Sequence, residues 1–104
     1  MRLKDKVAII AGAGQTEPDG MGNGRATALT YAREGAKLML ANRSSPSLEE
    51  TARQVRAEGF TVETMLADIT DEADCRDLMS ATADAFGRLD ILHNNVGIAE
   101  VGGP

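Results

Sequence analysis

Gly12, Gly14, Gly22 and Gly24 punctuate the segment IIAGAGQTEPDGMGNGRATA between Ile9 and Ala28. They follow a short apolar run and precede an alanine-rich one. The chemistry such an arrangement offers is anion binding. Glycines let backbone N–H groups come close to a phosphate, and the positive end of a following helix attracts its charge. Taken alone, the glycines fit two readings, a phosphate-holding turn and an unliganded surface loop. No Lys-Ser/Thr pair follows Gly24, which argues against a P-loop.

Other polar residues stand just after apolar runs. Asn42 and Arg43 follow AKLMLA, Asp68 and Ile69 follow FTVETML, and Asn94-Asn95-Val96-Gly97 follows LDILH. In dinucleotide-binding folds an acidic residue at the position of Asn42 bonds the ribose 2′-OH, and a nearby arginine accepts a 2′-phosphate. Asn42 is neutral and Arg43 is a permanent planar cation. The pair leans toward NADP over NAD, the other reading being a solvated arginine in a turn. His93 closes the last apolar run and reads as a packed strand residue, not a catalyst.

The elements that must position these residues alternate along the chain. KVAIIA (6–11) is a continuous apolar run, as a strand buried on both faces requires. AKLMLA (36–41), FTVETML (60–66) and LDILH (89–93) are the second, third and fourth strands. GRATALTYAREG (24–35) places Ala28, Leu29 and Ala32 on one helical stripe. SLEETARQVRAEG (47–59) opens on a capping box, Ser47 with Glu50, and places Leu48, Ala52 and Val55 on one face. The third helix takes Thr70 as its N-cap and carries Asp71, Glu72 and Asp74 in its first turn, near the positive end of its dipole. Its buried side is Leu78, Ala81, Ala85 and Phe86. Gly35, Gly59 and Gly87 end the three helices.

A β-α-β-α-β-α-β order with short crossovers predicts an α/β fold with a parallel sheet and right-handed connections. Two crossovers wound one way and a third wound back give strand order 3-2-1-4, a partial Rossmann fold with three helices. The reversal creates a topological switch point, where ligands bind at the carboxyl ends of the strands. The glycine loop and the Asn94–Gly97 loop flank it.

The length of 104 residues sets a ceiling of one domain, with 42% hydrophobic and 26% charged residues and a net charge of −5. That charge argues against nucleic acid, which needs a basic face. No apolar run approaches the roughly 20 residues of a membrane span, and no secretory signal follows MRLKDK. Cys75 is the single cysteine, so no internal disulfide forms, and a reducing, cytoplasmic setting is expected. Cys75 itself reads as buried or inert.

With these motifs in order, the sequence resembles the amino-terminal half of a short-chain dehydrogenase/reductase. That family carries Thr-Gly-x-x-x-Gly-x-Gly after its first strand, Asp after its third and Asn-Asn-Ala-Gly after its fourth. Gly12, Gly22 and Gly24, then Asp68-Ile69, then Asn94-Asn95-Val96-Gly97 match in sequence. Ala11 replaces the usual Thr, and Asn23 the usual Ile. Nine residues separate Gly12 from Gly22 where the family has three, so Gln15–Gly20 reads as an insert bulging outward, with Glu17 and Asp19 toward solvent. Loop insertions of this kind cost little entropy.

The resemblance implies a cofactor site of Gly12, Gly14, Gly22, Asn23, Gly24, Asn42, Arg43, Asp68, Ile69, Asn95, Val96 and Gly97. It places the pyrophosphate near Gly22–Arg25, the adenine amino group on Asp68 and the ring edge on the Ile69 backbone. Asn95 and Gly97 line the adenosine ribose. It implies an NAD(P)-dependent oxidoreductase that interconverts alcohols and carbonyls, with NADP favoured, a small-molecule substrate and a homo-oligomer at full length. The family's Ser and Tyr-x-x-x-Lys lie in its second half. The only tyrosine here is Tyr31, followed four residues later by Gly35, and no lysine follows Lys37. Residues 1–104 are therefore expected to be the cofactor-binding portion, truncated after the fourth strand, with no catalytic residue and no metal site. Alone they should be inactive and, with an open edge strand, prone to associate. A non-catalytic dinucleotide-binding module or an inactive truncated product is the alternative.

Overall fold

The computed structural model describes residues 2–11, 23–43 and 45–94. The elements are β1 (Val7–Ala11), α1 (Asn23–Arg33), β2 (Lys37–Asn42), α2 (Ser45–Ala57), β3 (Val62–Leu66), α3 (Glu72–Phe86) and β4 (Ile91–Asn94). All four strands are parallel, in the order β3-β2-β1-β4. This is the expected partial Rossmann sheet.

β1 is buried along its whole length. Its alternation feeds two cores. Ala8 and Ile10 join Leu38, Leu40, Ala28, Ala32, Leu48 and Val55 beneath α1 and α2. Ile9 joins Met39, Ala41, Ala67 and Leu78 beneath α3. Two helices thus cover one face and a single helix the other, as right-handed crossovers dictate once the strand order reverses. The face under α3 is thinly covered. Leu92, opposite Ile9 in the ladder, stays 45% exposed, and Met79 on α3 stays 43% exposed.

The glycines expected to end the helices do so. Gly35, Gly59 and Gly87 all have positive φ. At Gly59 nothing lies within 4 Å of where a Cβ would stand, so the demand there is conformational and not steric. Gly87 closes α3 in the left-handed region, its N–H donating to the Ala83 carbonyl at 2.7 Å.

Several expected details differ. Ala85, expected on the buried side of α3, is exposed, and Thr82 is buried there instead, its hydroxyl donating to the Leu78 carbonyl at 2.7 Å. The capping box does not form, because α2 begins at Ser45 and Ser47 already lies inside it. Pro46 falls in the first turn, where its missing N–H costs no helical bond and its φ is preset. Glu50 turns to Arg53 and Gln54 instead. The N-cap of α3 is Asp71, not Thr70, whose N–H and hydroxyl both donate to Asp68 Oδ1. β4 starts at Ile91, because Asp90 meets Val7 with a side chain. The Val7 N–H donates to Asp90 Oδ2 at 2.9 Å while the Asp90 N–H donates to the Val7 carbonyl at 2.9 Å.

Two outcomes follow from this packing. Ile9→Ala and Ile10→Ala, on opposite faces of β1, should each destabilise the protein by about 2–5 kcal/mol in urea denaturation. The exposed Lys37→Ala should stay within about 0.5 kcal/mol. The hydrogen bonds from Arg53 and then Gln54 lower the Glu50 carboxyl from 4.5 to about 2. Its contribution to stability is complete above pH 4.5, declines as pH falls and is gone below about 2. Glu50→Gln should therefore flatten thermal-melt midpoints across that acid window and leave their slope near neutrality unchanged.

Candidate functional site at the carboxyl ends of the strands

The ladder brings Ala11, Ala41 and Asn94 to one edge, with Asn42 beside Leu66 at the next register position. Every chain exit toward the candidate site therefore lies at one end of the sheet. The Asn42 carbonyl accepts the Ala67 N–H at 2.9 Å, which fixes the exit of β3 beside that of β2.

Just past it, Arg43, Leu66, Ala67, Asp68 and Asp74 line an open cleft of about 230 Å³. Leu66 offers an apolar wall, being 56% exposed. Arg43 is exposed and half-buried Asp68 shares the cleft with it. The Asp68 carboxyl is held below the usual aspartate range, chiefly by the Thr70 hydroxyl, then by the Thr70 N–H, with the Arg43 charge adding to them. Those bonds use Oδ1. Oδ2 has no hydrogen-bond partner among the described residues, so an ionised acceptor faces outward.

The turn carrying Asp68 is held from behind. The Asp68 N–H donates to Asp74 Oδ2 at 2.8 Å, and the Asp68 carbonyl accepts the Asp71 N–H at 2.9 Å. Ile69 packs against the core under α3, and its carbonyl accepts the Cys75 thiol at 3.0 Å. Cys75 is thus half-buried with a defined partner. The Ile69 N–H has no partner among the described residues and is available as a donor.

Asn42 holds the one buried side-chain nitrogen or oxygen without a hydrogen-bond partner among the described residues, its Nδ2. Buried polar groups are almost always paired, so an orphan donor of this kind is a place for an acceptor from elsewhere.

α1 begins at Asn23, with Gly24 buried in its first turn. Arg25 reaches across to α2. Its Nε donates to Thr51 Oγ1 at 2.9 Å and its Nη2 to the Ser47 carbonyl at 3.4 Å, tying the first turn of α1 to α2. The first-turn N–H groups of a helix have no intrahelical partner, and they are what such an end can offer an anion. Gly12, Gly14, Gly22, the insert with Glu17 and Asp19, and Asn95, Val96 and Gly97 lie outside the described residues. The structure brings Asn42, Arg43, Asp68 and Ile69 to one end of the sheet, with α1 starting at Asn23.

A model of the family described as short chain dehydrogenase matches residues 6–103. The chain is 42% identical over 99 residues to levodione reductase from Leifsonia aquatica, covering 93% of this chain and 35% of that protein. The chain belongs to the short-chain dehydrogenase family. Solved structures agree. A short chain dehydrogenase from Mycobacterium smegmatis superposes with a TM-score of 0.83 at 33% identity, covering 93% of this chain and 39% of that one. A glucose dehydrogenase from Caenorhabditis elegans superposes with a TM-score of 0.81 at 40% identity, covering 98% and 42%. The chain spans about a third of the length of the curated relatives it matches.

Sequence reasoning gave Asp74 only a dipole role and passed over the second function its position allows. Asp74 stands three residues after the N-cap Asp71, where a carboxylate can reach back to a preceding N–H. Arg25 carried no sequence signal for its partners, because Thr51 is 26 residues away. Among the described residues no group of three or more His, Cys, Asp or Glu is arranged to hold a metal, and no helix is long and apolar enough to cross a membrane. Asp74→Ala removes the acceptor of the Asp68 N–H. Hydrogen exchange at that amide should accelerate about three- to tenfold, the equivalent of one net hydrogen bond, while the amides of β1 keep their protection.

Proposed function

We propose that residues 1–104 form the cofactor-binding portion of an NAD(P)-dependent oxidoreductase that interconverts an alcohol and a carbonyl in a small-molecule substrate. The bound nicotinamide supplies or accepts the hydride. The observation that carries the reading is the buried Asn42 Nδ2, without a hydrogen-bond partner among the described residues and next in the chain to Arg43, which lines the cleft with Asp68. A ribose or phosphate oxygen of a dinucleotide would satisfy that donor, so the residues present fit the group.

In this reading Asp68 Oδ2 accepts from the adenine amino group, the Ile69 N–H meets the ring edge and Leu66 flanks the base. Gly12, Gly14, Gly22, Asn23 and Gly24 hold the pyrophosphate with backbone N–H groups. Asn95, Val96 and Gly97 line the adenosine ribose. Arg43 faces a 2′-phosphate, which selects NADP. Its guanidinium offers a planar fork of donors and a permanent charge. No residue of the chain fills the family's tyrosine and lysine roles, so catalysis requires a longer chain. The complete protein is a cytoplasmic homo-oligomer, and residues 1–104 alone are inactive and associate through the open side of β4.

Arg43→Ala in the complete protein should weaken NADP binding by about ten- to a hundredfold, a charge-assisted hydrogen bond being worth about 1.5–3 kcal/mol. NAD binding should change by less than about threefold. Calorimetric titration with both cofactors checks this, and equal losses would show that Arg43 is a surface residue with no part in selection.

A further inference from the structure

β4 is a strand of four residues paired on one side only among the described residues. Its start is held by Asp90, which bonds Val7 and carries a bidentate ion pair with Arg88. Its far end holds His93, opposite Ile10 in the ladder and one residue before Asn94. Strand alternation turns His93 to the face of Ile10 and Ile91, under α1 and α2, and Leu92 to the other.

There the Tyr31 hydroxyl and His93 Nδ1 share a hydrogen bond of 3.3 Å, the imidazole tautomer setting which group donates. The two rings also meet edge to face, centroids 5.7 Å apart and planes at 76°. Tyr31 packs on the core from α1, eight residues beyond the start of that helix at Asn23, a distance of about 12 Å along its axis. One contact therefore joins the last turn of α1 to the strand residue just before Asn94.

From this juxtaposition we infer that Tyr31 and His93 are positioning residues for the cofactor site. Their bond fixes the carboxyl end of β4 relative to α1, and so sets the position of Asn94, where β4 ends, against Asn23, where α1 begins. A short strand with one free edge frays at its end unless side chains hold it, and the ladder to β1 alone cannot set the distance to a helix. The inference rests on the dinucleotide reading above. Neither residue touches the ligand. They act through the ends of the two elements they join.

The test is calorimetric titration of NADP into the complete protein, with ligand-free thermal midpoints measured alongside. Tyr31→Phe removes the hydroxyl and keeps the ring, so folding is preserved. Tyr31→Phe and His93→Leu should each raise the Kd by about three- to tenfold, the worth of one net hydrogen bond. The double variant should be no weaker than the weaker single one, because both remove the same contact. His93→Asn, whose amide oxygen stands near the place of Nδ1, should restore the affinity to within about twofold of wild type on the same hydrogen-bond scale. Lower thermal midpoints with unchanged Kd would overturn the inference and leave the pair a packing contact. Additive losses would overturn it too, since the residues would then act separately. If the wild-type protein bound neither NADP nor NAD, the dinucleotide reading would fall and this inference with it. A wild type that binds and variants that bind equally well would remove the inference alone.

Discussion

The structure depends on β1 being paired on both sides. Val7–Ala11 is 0–1% exposed, with β2 along one edge and β4 along the other. A strand so placed satisfies its backbone groups in two ladders and feeds side chains to both faces, which is why five consecutive apolar residues are required. The chain leaves β1 toward β2 and β3, then must return across the sheet to β4. Right-handed crossovers in opposite directions put α1 and α2 on one face and α3 on the other. The same reversal makes the carboxyl ends of β1 and β4 a topological switch point, where open α/β sheets bind ligands. One buried strand thus sets the layers and the place of the site.

Around that edge, polar side chains are used mainly to fix backbone. Asp74 holds the Asp68 N–H, Asp68 holds Thr70, and Arg25 ties α1 to Thr51 and Ser47 of α2. Each charge is satisfied close to the main chain, in a geometry set before any ligand arrives. What is left without a hydrogen-bond partner among the described residues is small: one oxygen of Asp68, the Ile69 N–H and the buried Asn42 Nδ2, with the exposed Arg43 beside them. A net charge of −5 does not by itself bar an anionic ligand, because helix-terminal N–H groups can meet phosphates without a basic patch. Preordered groups also spare the complex the entropy of ordering them on binding.

The two faces of the sheet are unequal. Under α1 and α2 lies a core that reaches Leu3, Tyr31, Phe60 and Ile91 at its margins. Under α3 the core is smaller, and Leu92 and Met79 keep large exposed areas. Apolar area of that kind is a cost unless something covers it. Relatives about three times as long share the fold over this chain.

Much was legible in the sequence because it is encoded locally. Continuous apolar runs marked the four strands. Gly35, Gly59 and Gly87 marked the helix ends, since only glycine adopts their positive φ without strain. The alternation of elements, with the handedness rule, yielded the strand order. Asn42, Arg43, Asp68 and Ile69 stood out as candidate site residues because each lies at or just past the end of an apolar run, and the structure brings them to one end of the sheet. Boundaries shifted where a local signal had a rival. Pro46 started α2 before Ser47 could cap it, and Asp68 took the Thr70 hydroxyl away from the cap of α3. What only the tertiary structure decided were contacts between residues distant in the chain. Tyr31 meets His93 across 62 positions, Arg25 meets Thr51 across 26, and the Val7 N–H meets Asp90 across 83. The Asn42 amide became an orphan donor only when packing closed around it. Spacing and residue type specify local dihedrals and the faces of helices and strands. They do not specify which side chains meet once those faces are pressed together, because that depends on the distances between whole elements.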